Sequence, residues 1–343
     1  MLATLNAAYG GVRGQNQAVA LDFVRYTKES VRIADVIGDA ALSVGMRAVL
    51  AYGHLYTGQL REAERVADEA IRLVATDPHR SPEFVGISPL MGARVSRLFA
   101  VGCMRDPVTA LREFPLVRQD ATEAGYPEQA LWALMWETEL KYALGDTDGI
   151  RALAQTAMRL AENLGVINEM LAAVSRCDAL ACDRDWRTLL DIATDTLRGI
   201  RPRSAGRLWE PRVLALMGNA ELELGNLEPD RAAAQESVTF MRESQALFNP
   251  HGYALLARAQ LALTEPAADI AHTLDEYEEL LARTEFHVYA GELHELRARL
   301  AAREGQHPKC TAALARAYAC YTRFNMTEQA ARIEALQVSG SSH

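Results

Sequence analysis

The chain has 343 residues, 49% hydrophobic and 7% aromatic, with 36 Lys+Arg against 45 Asp+Glu and a formal net charge of −9. That length exceeds one ordinary core, so several domains or a repeat array is expected, and the acidic balance excludes a general phosphate surface for nucleic acid, which needs clustered cations. No apolar window is long enough to span a membrane, Met1–Asn6 carries no basic leader, and the five cysteines form no CxxC pair, so a cytoplasmic chain with reduced thiols and no metal is expected.

Met1–Arg13 reads as a short lead-in closed by Gly10, Gly11 and Gly14, and Gln15–Ile37 as one long helix with Val19, Phe23, Tyr26, Ile33 and Ile37 on a single face. Gly38-Asp39 ends it, the glycine suiting a left-handed helix end and the aspartate the next N-cap. Ala40–Tyr56 and Leu60–Val74 form a helix pair turned at Thr57-Gly58-Gln59, with the small residues Ala63, Ala67 and Ala70 where the helices approach. Asp77–Pro89, with Pro78, Pro82 and Pro89, predicts a surface loop. Leu90–Gly102 and Pro107–Ala124 resume the helical pattern, and Pro115 is expected to kink or split the second of them.

From Tyr126 to Gln337 the chain keeps a beat. Gly145-Asp146, Arg184-Asp185, Gly225-Asn226, Thr264-Glu265-Pro266 and Gly305-Gln306 break it at intervals of about 40 residues, and each unit holds two apolar-periodic segments. A fixed period of that size is the mark of a helical solenoid, because one helix pair cannot bury its apolar stripe alone. The predicted fold is all-α: a tetratricopeptide-like right-handed solenoid of about seven helix pairs after the lead-in, plus a capping helix over Thr327–Leu336. It occupies residues 1–337 as one domain, leaving 338–343 as a flexible polar tail with the composition of an expression tag.

Catalytic chemistry finds no foothold. Gly10–Gly14 lacks the lysine of a phosphate loop, the position four beyond His294 is Ala298, and no GxSxG occurs. The acid pairs Glu137/Glu139, Glu221/Glu223 and Glu278/Glu279 read as surface charge, and Arg198, Arg201, Arg203 and Arg207 as a solvated inter-helix loop. No residue is assigned a catalytic, cofactor-binding or metal-binding role, and no enzyme is expected.

Binding is a different matter. A solenoid of helix pairs curves into a concave surface, and in the tetratricopeptide pattern the first helix of each pair lines it, at positions three, six and ten before the turn glycine. Counting back from Gly58 selects Tyr52, and from Gly145 it selects Tyr142 and Glu139, with Trp132 one turn further. Gly225 selects Asn219 with Arg212 beyond, Gly305 selects Arg299 and Glu295, and Arg184 in the same role selects Asp178. These nine residues are the candidate partner-binding face, since aromatic and arginine side chains are the usual interface anchors. Trp136 and Trp186 are expected in the core, while Trp209, before Glu210-Pro211 at a helix start, suits either place.

Three stretches carry a resemblance: His54-Leu55-Tyr56-Thr57-Gly58-Gln59-Leu60-Arg61-Glu62-Ala63, Gly125-Tyr126-Pro127-Glu128-Gln129-Ala130, and Tyr321 to Arg332. In this order they resemble the C-terminal helical-repeat region of bacterial adenylate/guanylate cyclase-type regulators that also carry an ATPase domain. That family often has glycine where this chain has Asn325, while Arg184 and Thr264 depart from the turn-glycine pattern and leave the register of their units open. The resemblance implies a sensing or regulatory module of a signalling protein whose partners include a protein, a peptide or upstream domains of a parent chain. A superhelix enclosing a small signalling molecule is a variant of that reading, and a structural or self-association scaffold is the alternative.

Overall fold

A computed structural model describes residues 1–75, 88–204 and 206–340. Among them there is no strand. The helices are α1 (Leu2–Gln17), α2 (Ala20–Ile37), α3 (Ala40–Tyr56), α4 (Leu60–Ala75), α5 (Pro89–Met104) and α6 (Pro107–Glu123). They continue as α7 (Pro127–Leu144), α8 (Thr147–Ala161), α9 (Val166–Asp183), α10 (Trp186–Arg203), α11 (Glu210–Glu223) and α12 (Leu227–Ser244). The last are α13 (His251–Ala262), α14 (Ala267–Thr284), α15 (Ala290–Arg303), α16 (His307–Arg323) and the cap α17 (Thr327–Gly340). Odd- and even-numbered helices alternate as pairs from α3/α4 to α15/α16, which is the expected tetratricopeptide-like solenoid.

Local chemistry ends and restarts each helix. Asp39, Asp106, Asp146 and Asp185 accept from the backbone N–H three residues on, at 2.9, 3.0, 3.0 and 3.3 Å, so each opens a helix as an N-cap. Gly145, Gly225 and Gly305 turn with φ of 76°, 83° and 70°. Arg184 and Thr264 take the same left-handed turn at φ 57° and 56°, and Asn325 follows at 57°, so the register of all these units is kept. A non-glycine residue there costs about 1–2 kcal/mol, which the packing of the flanking helices over-determines.

Three expectations change. The lead-in is a full helix that runs through its glycines, and the break falls at Ala18 (φ 56°), dividing the predicted long helix into α1 and α2. The glycines serve contact instead: a Cβ at Gly10 would lie 2.9 Å from Tyr26 Cβ, and one at Gly14 2.9 Å from Phe23 Cβ. Pro115 does not split α6, which continues to Glu123. Arg198, Arg201 and Arg203 lie on α10, not in a loop, with Arg201 paired to Glu210 and Glu236 and Arg198 to Asp195. The predicted loop at Asp77–Pro89 falls largely outside the described residues, as do residues 341–343 of the expected tail, while α17 reaches Gly340.

The superhelix winds back on itself. Leu247 N–H donates to the Tyr56 carbonyl at 2.8 Å, Arg61 pairs with Glu285 at 2.6 Å, and Gln329 Nε2 donates to the Leu144 carbonyl at 3.1 Å. The axis is therefore filled where these units meet. Trp136 is fully buried, with ring centroids 4.4 Å from Phe99, 5.6 Å from Trp209 and 5.7 Å from Phe248. Trp209 joins this plug, whereas Trp186, expected in the core, is half-buried and lines a cavity.

Gly58 (φ 67°) sits in the closure, where an added Cβ would be 2.5 Å from Thr284 Cγ2. Gly58→Ala is expected to cost about 2–4 kcal/mol, the left-handed penalty plus overpacking. Gly225→Ala, with φ 83° and open space around it, should cost only about 1 kcal/mol. Urea denaturation of the two variants checks this; equal losses would mean that the closure contact carries no stability.

Candidate functional site

The concave side of α7, α9, α11, α13 and α15, closed by α17, encloses a polar cavity of about 760 Å³. Of the nine candidates, Tyr142, Arg212, Asn219, Glu295 and Arg299 line it. Glu139 and Asp178 are buried behind it, 2% exposed each, and Tyr52 and Trp132 line a separate apolar cavity nearer the N-terminus.

Arg212 organises the floor of the polar cavity. It is 1% exposed, reaches Asp178 Oδ1 through Nη2 at 2.5 Å and Glu139 Oε2 through Nε at 3.2 Å, and lies 4.2 Å over the Tyr142 ring. Glu139 Oε1 also accepts from the Tyr289 hydroxyl at 3.1 Å and contacts His251 Nε2 at 2.8 Å. Burial works against each charge here. It is outweighed at Glu139, which the Arg212 guanidinium and the His251 and Tyr289 contacts hold down at about 2. It wins at Asp178, which is pushed up to about 7, and it lowers His251, assisted by the neighbouring Arg212. One guanidinium thus serves two carboxylates, and Glu139 takes the charge. The acid pair Glu137/Glu139 is accordingly not surface charge: both are buried, with Glu137 paired to Arg118.

At the far end Glu295 accepts both Nη atoms of Arg332 at 2.6 and 2.8 Å, Arg299 at 2.8 Å and the Tyr321 hydroxyl at 3.1 Å. This cluster ties α15 to α16 and the cap. Gly291 makes room for it, because a Cβ there would sit 2.4 Å from the Tyr321 ring.

Between floor and far end lie polar groups with spare capacity. Arg258 Nη2 donates to Asn219 Oδ1 at 2.8 Å, but Arg258 has no carboxylate partner and its buried Nε has no acceptor among the described residues. Glu292 lines the same cavity and forms no ion pair among those residues. Arg258 is missed by counting from turn glycines because Thr264 occupies its unit's turn. The same count from Thr264 selects Leu261, Arg258 and Ala254, all on the cavity wall. Glu292 stands 13 residues before Gly305, the offset that selects Trp132 before Gly145 and Arg212 before Gly225, but the count in that unit stops at Glu295; Tyr289 lies further back than the count reaches.

Among the described residues no group of three or more His, Cys, Asp or Glu side chains is placed to hold a metal. All five cysteines are unpaired, and burial pushes the Cys177 thiol up to about 12. No described helix is long and apolar enough to cross a membrane.

No protein-family model matches the sequence. No curated protein matches it either. Among solved structures the chain is similar to a Rap protein complexed with Competence and Sporulation Factor, with a TM-score of 0.59 and 10% identity over 99% of this chain and 96% of that one. A second similarity, to yeast Tom70, has a TM-score of 0.43 and 8% identity over 92% of this chain and 60% of that one. At 10% identity the Rap likeness establishes the helical-repeat fold.

Proposed function

We propose that this chain is a non-catalytic binding module that holds an extended peptide or protein segment in the polar cavity. The observation that carries the reading is that Arg258, held by the Asn219 amide, and Glu292 both line the cavity and neither forms an ion pair among the described residues. Arg258 is half-buried, and its buried Nε–H, without an acceptor among the described residues, loses free energy until one arrives; a peptide supplies carbonyls, amides and side-chain charges in one chain. That a protein of this fold is complexed with Competence and Sporulation Factor supports the same reading. In this reading the module is the sensing part of a signalling protein, and its partners include upstream domains of a parent chain.

The test is selection of a displayed random-peptide library on the full chain. Enriched peptides are expected to bind with Kd on the order of 1 μM, and Asn219→Ala/Arg258→Ala is expected to weaken them about 10-fold or more without loss of helical content. Failure to enrich any peptide, or binding that survives the double change, overturns the proposal. Arg212 is unsuitable as the probe, because its loss strands two buried carboxylates.

A further inference from the structure

The cavity lined by Tyr52 and Trp132 is separate from the polar one and measures about 250 Å³. Among the described residues no charged side chain lines it. Small residues make one side: Ala7 and Gly11 on α1, Ala48 on α3 and Gly92 on α5. Aromatic rings make the other: Tyr52, Trp132, Trp136 and Trp209. The small residues keep the space open, since a Cβ added at Gly11 would meet nothing within 4 Å and one at Gly92 would make ordinary contact with the Tyr52 ring at 3.4 Å and with Ala48 and Gln129 at 3.9 Å.

The aromatic side is already in place. Trp132 Nε1 donates to Asn168 Oδ1 at 3.3 Å, and its ring stands edge-on to Tyr52 with centroids 5.6 Å apart at 73°. Trp136 is held from behind by Phe99 and Phe248. A half-open apolar space of this kind offers water few of the polar partners it needs, and it takes up apolar guests. The Tyr52 hydroxyl, with no hydrogen-bond partner among the described residues, is left to orient one.

We propose that this cavity binds an uncharged aromatic small molecule with a fused-ring skeleton, seated against Trp132 and Trp136. Charge on the guest is disfavoured because no ionic group among the described lining residues can pair with it. The site is independent of the peptide reading, as it shares no lining residue with the polar cavity.

The experiment titrates the full chain with N-phenyl-1-naphthylamine and follows probe emission excited through tryptophan. One saturable site is expected. Ala48→Leu and, separately, Ala7→Leu extend a side chain into the space and are expected to weaken the probe by about 10-fold or more, with unchanged helical content. In the unaltered chain 2-naphthol is expected to displace the probe and 2-naphthalenesulfonate to leave it in place. Absence of saturable energy transfer, unchanged binding in both filled variants, or equal displacement by the two naphthalenes overturns the proposal. The displacement arm decides the matter even if a filled variant fails to fold.

Discussion

Arg212→Ala is expected to lower the unfolding free energy by about 3–5 kcal/mol, the range for breaking a buried ion pair by removing one partner. The reason lies in the two carboxylates it leaves behind. Glu139 and Asp178 are almost fully buried, and among the described residues neither has another cation within ion-pair distance except His251 at Glu139. Removing all three ionisable groups together, as Arg212→Met/Glu139→Gln/Asp178→Asn, should restore most of the loss, since apolar and amide groups of similar shape carry no desolvated charge. Urea unfolding of both variants measures this. A loss for Arg212→Ala within about 1 kcal/mol, the range of exposed pairs, would mean that the guanidinium is not buried as described.

The same network gives a pH signature. Folded Asp178 titrates at about 7, whereas an unfolded aspartate titrates near about 3.9. Between these limits the folded state keeps a proton that the unfolded state has released, so this group's stabilisation falls as pH rises through the window. Asp178→Asn removes the titration and keeps an acceptor for Arg212. It should therefore gain on the parent by on the order of 1 kcal/mol per pH unit from about pH 4 to 7. Glu139 and His251 titrate in both chains, so their shifts largely cancel in the comparison. A difference that stays flat across the window would place the proton elsewhere.

Trp136→Ala is the second large effect, expected at about 3–5 kcal/mol. Its ring meets Tyr56 on α3, Phe99 on α5, Trp209 before α11 and Phe248 before α13, with centroids between 4.4 and 6.0 Å. These rings come from units far apart in sequence, so the void would open at the centre of the superhelix, where neighbours cannot collapse without unwinding it. Trp186→Ala, at a half-buried edge position, should cost clearly less in the same urea titration. Equal costs would mean that Trp136 does not sit in a rigid plug.

How much of this was legible beforehand depends on the range of the interaction. The helix pairs, their turns and the Asp39 cap were legible because each rests on residues within a few positions of one another. Arg184 and Thr264 hold the glycine-like turn through the packing of their flanking helices, which is why their units looked doubtful. The inward side was legible in part: the phase of a helix relative to its turn is local, so counting back reaches Tyr142, Arg212, Asn219, Glu295 and Arg299 on the polar cavity wall, while Tyr52 and Trp132 line the apolar cavity and Glu139 and Asp178 are buried behind. Glu137 and Glu139 were misread as surface charge because nothing near them in sequence announces Arg118 or Arg212.

The amino-acid sequence by itself determined the repeat, the two-helix unit and which side of each first helix turns inward, because these follow from periodicity and turn geometry within a unit. Only the tertiary structure decided how tightly the array winds. That depends on a small rotation at every interface, summed over all units, and no single unit encodes the sum. The winding brings Tyr56 against Leu247 and Leu144 against Gln329, fills the axis with aromatic rings, and so divides one expected groove into a polar cavity and an apolar one.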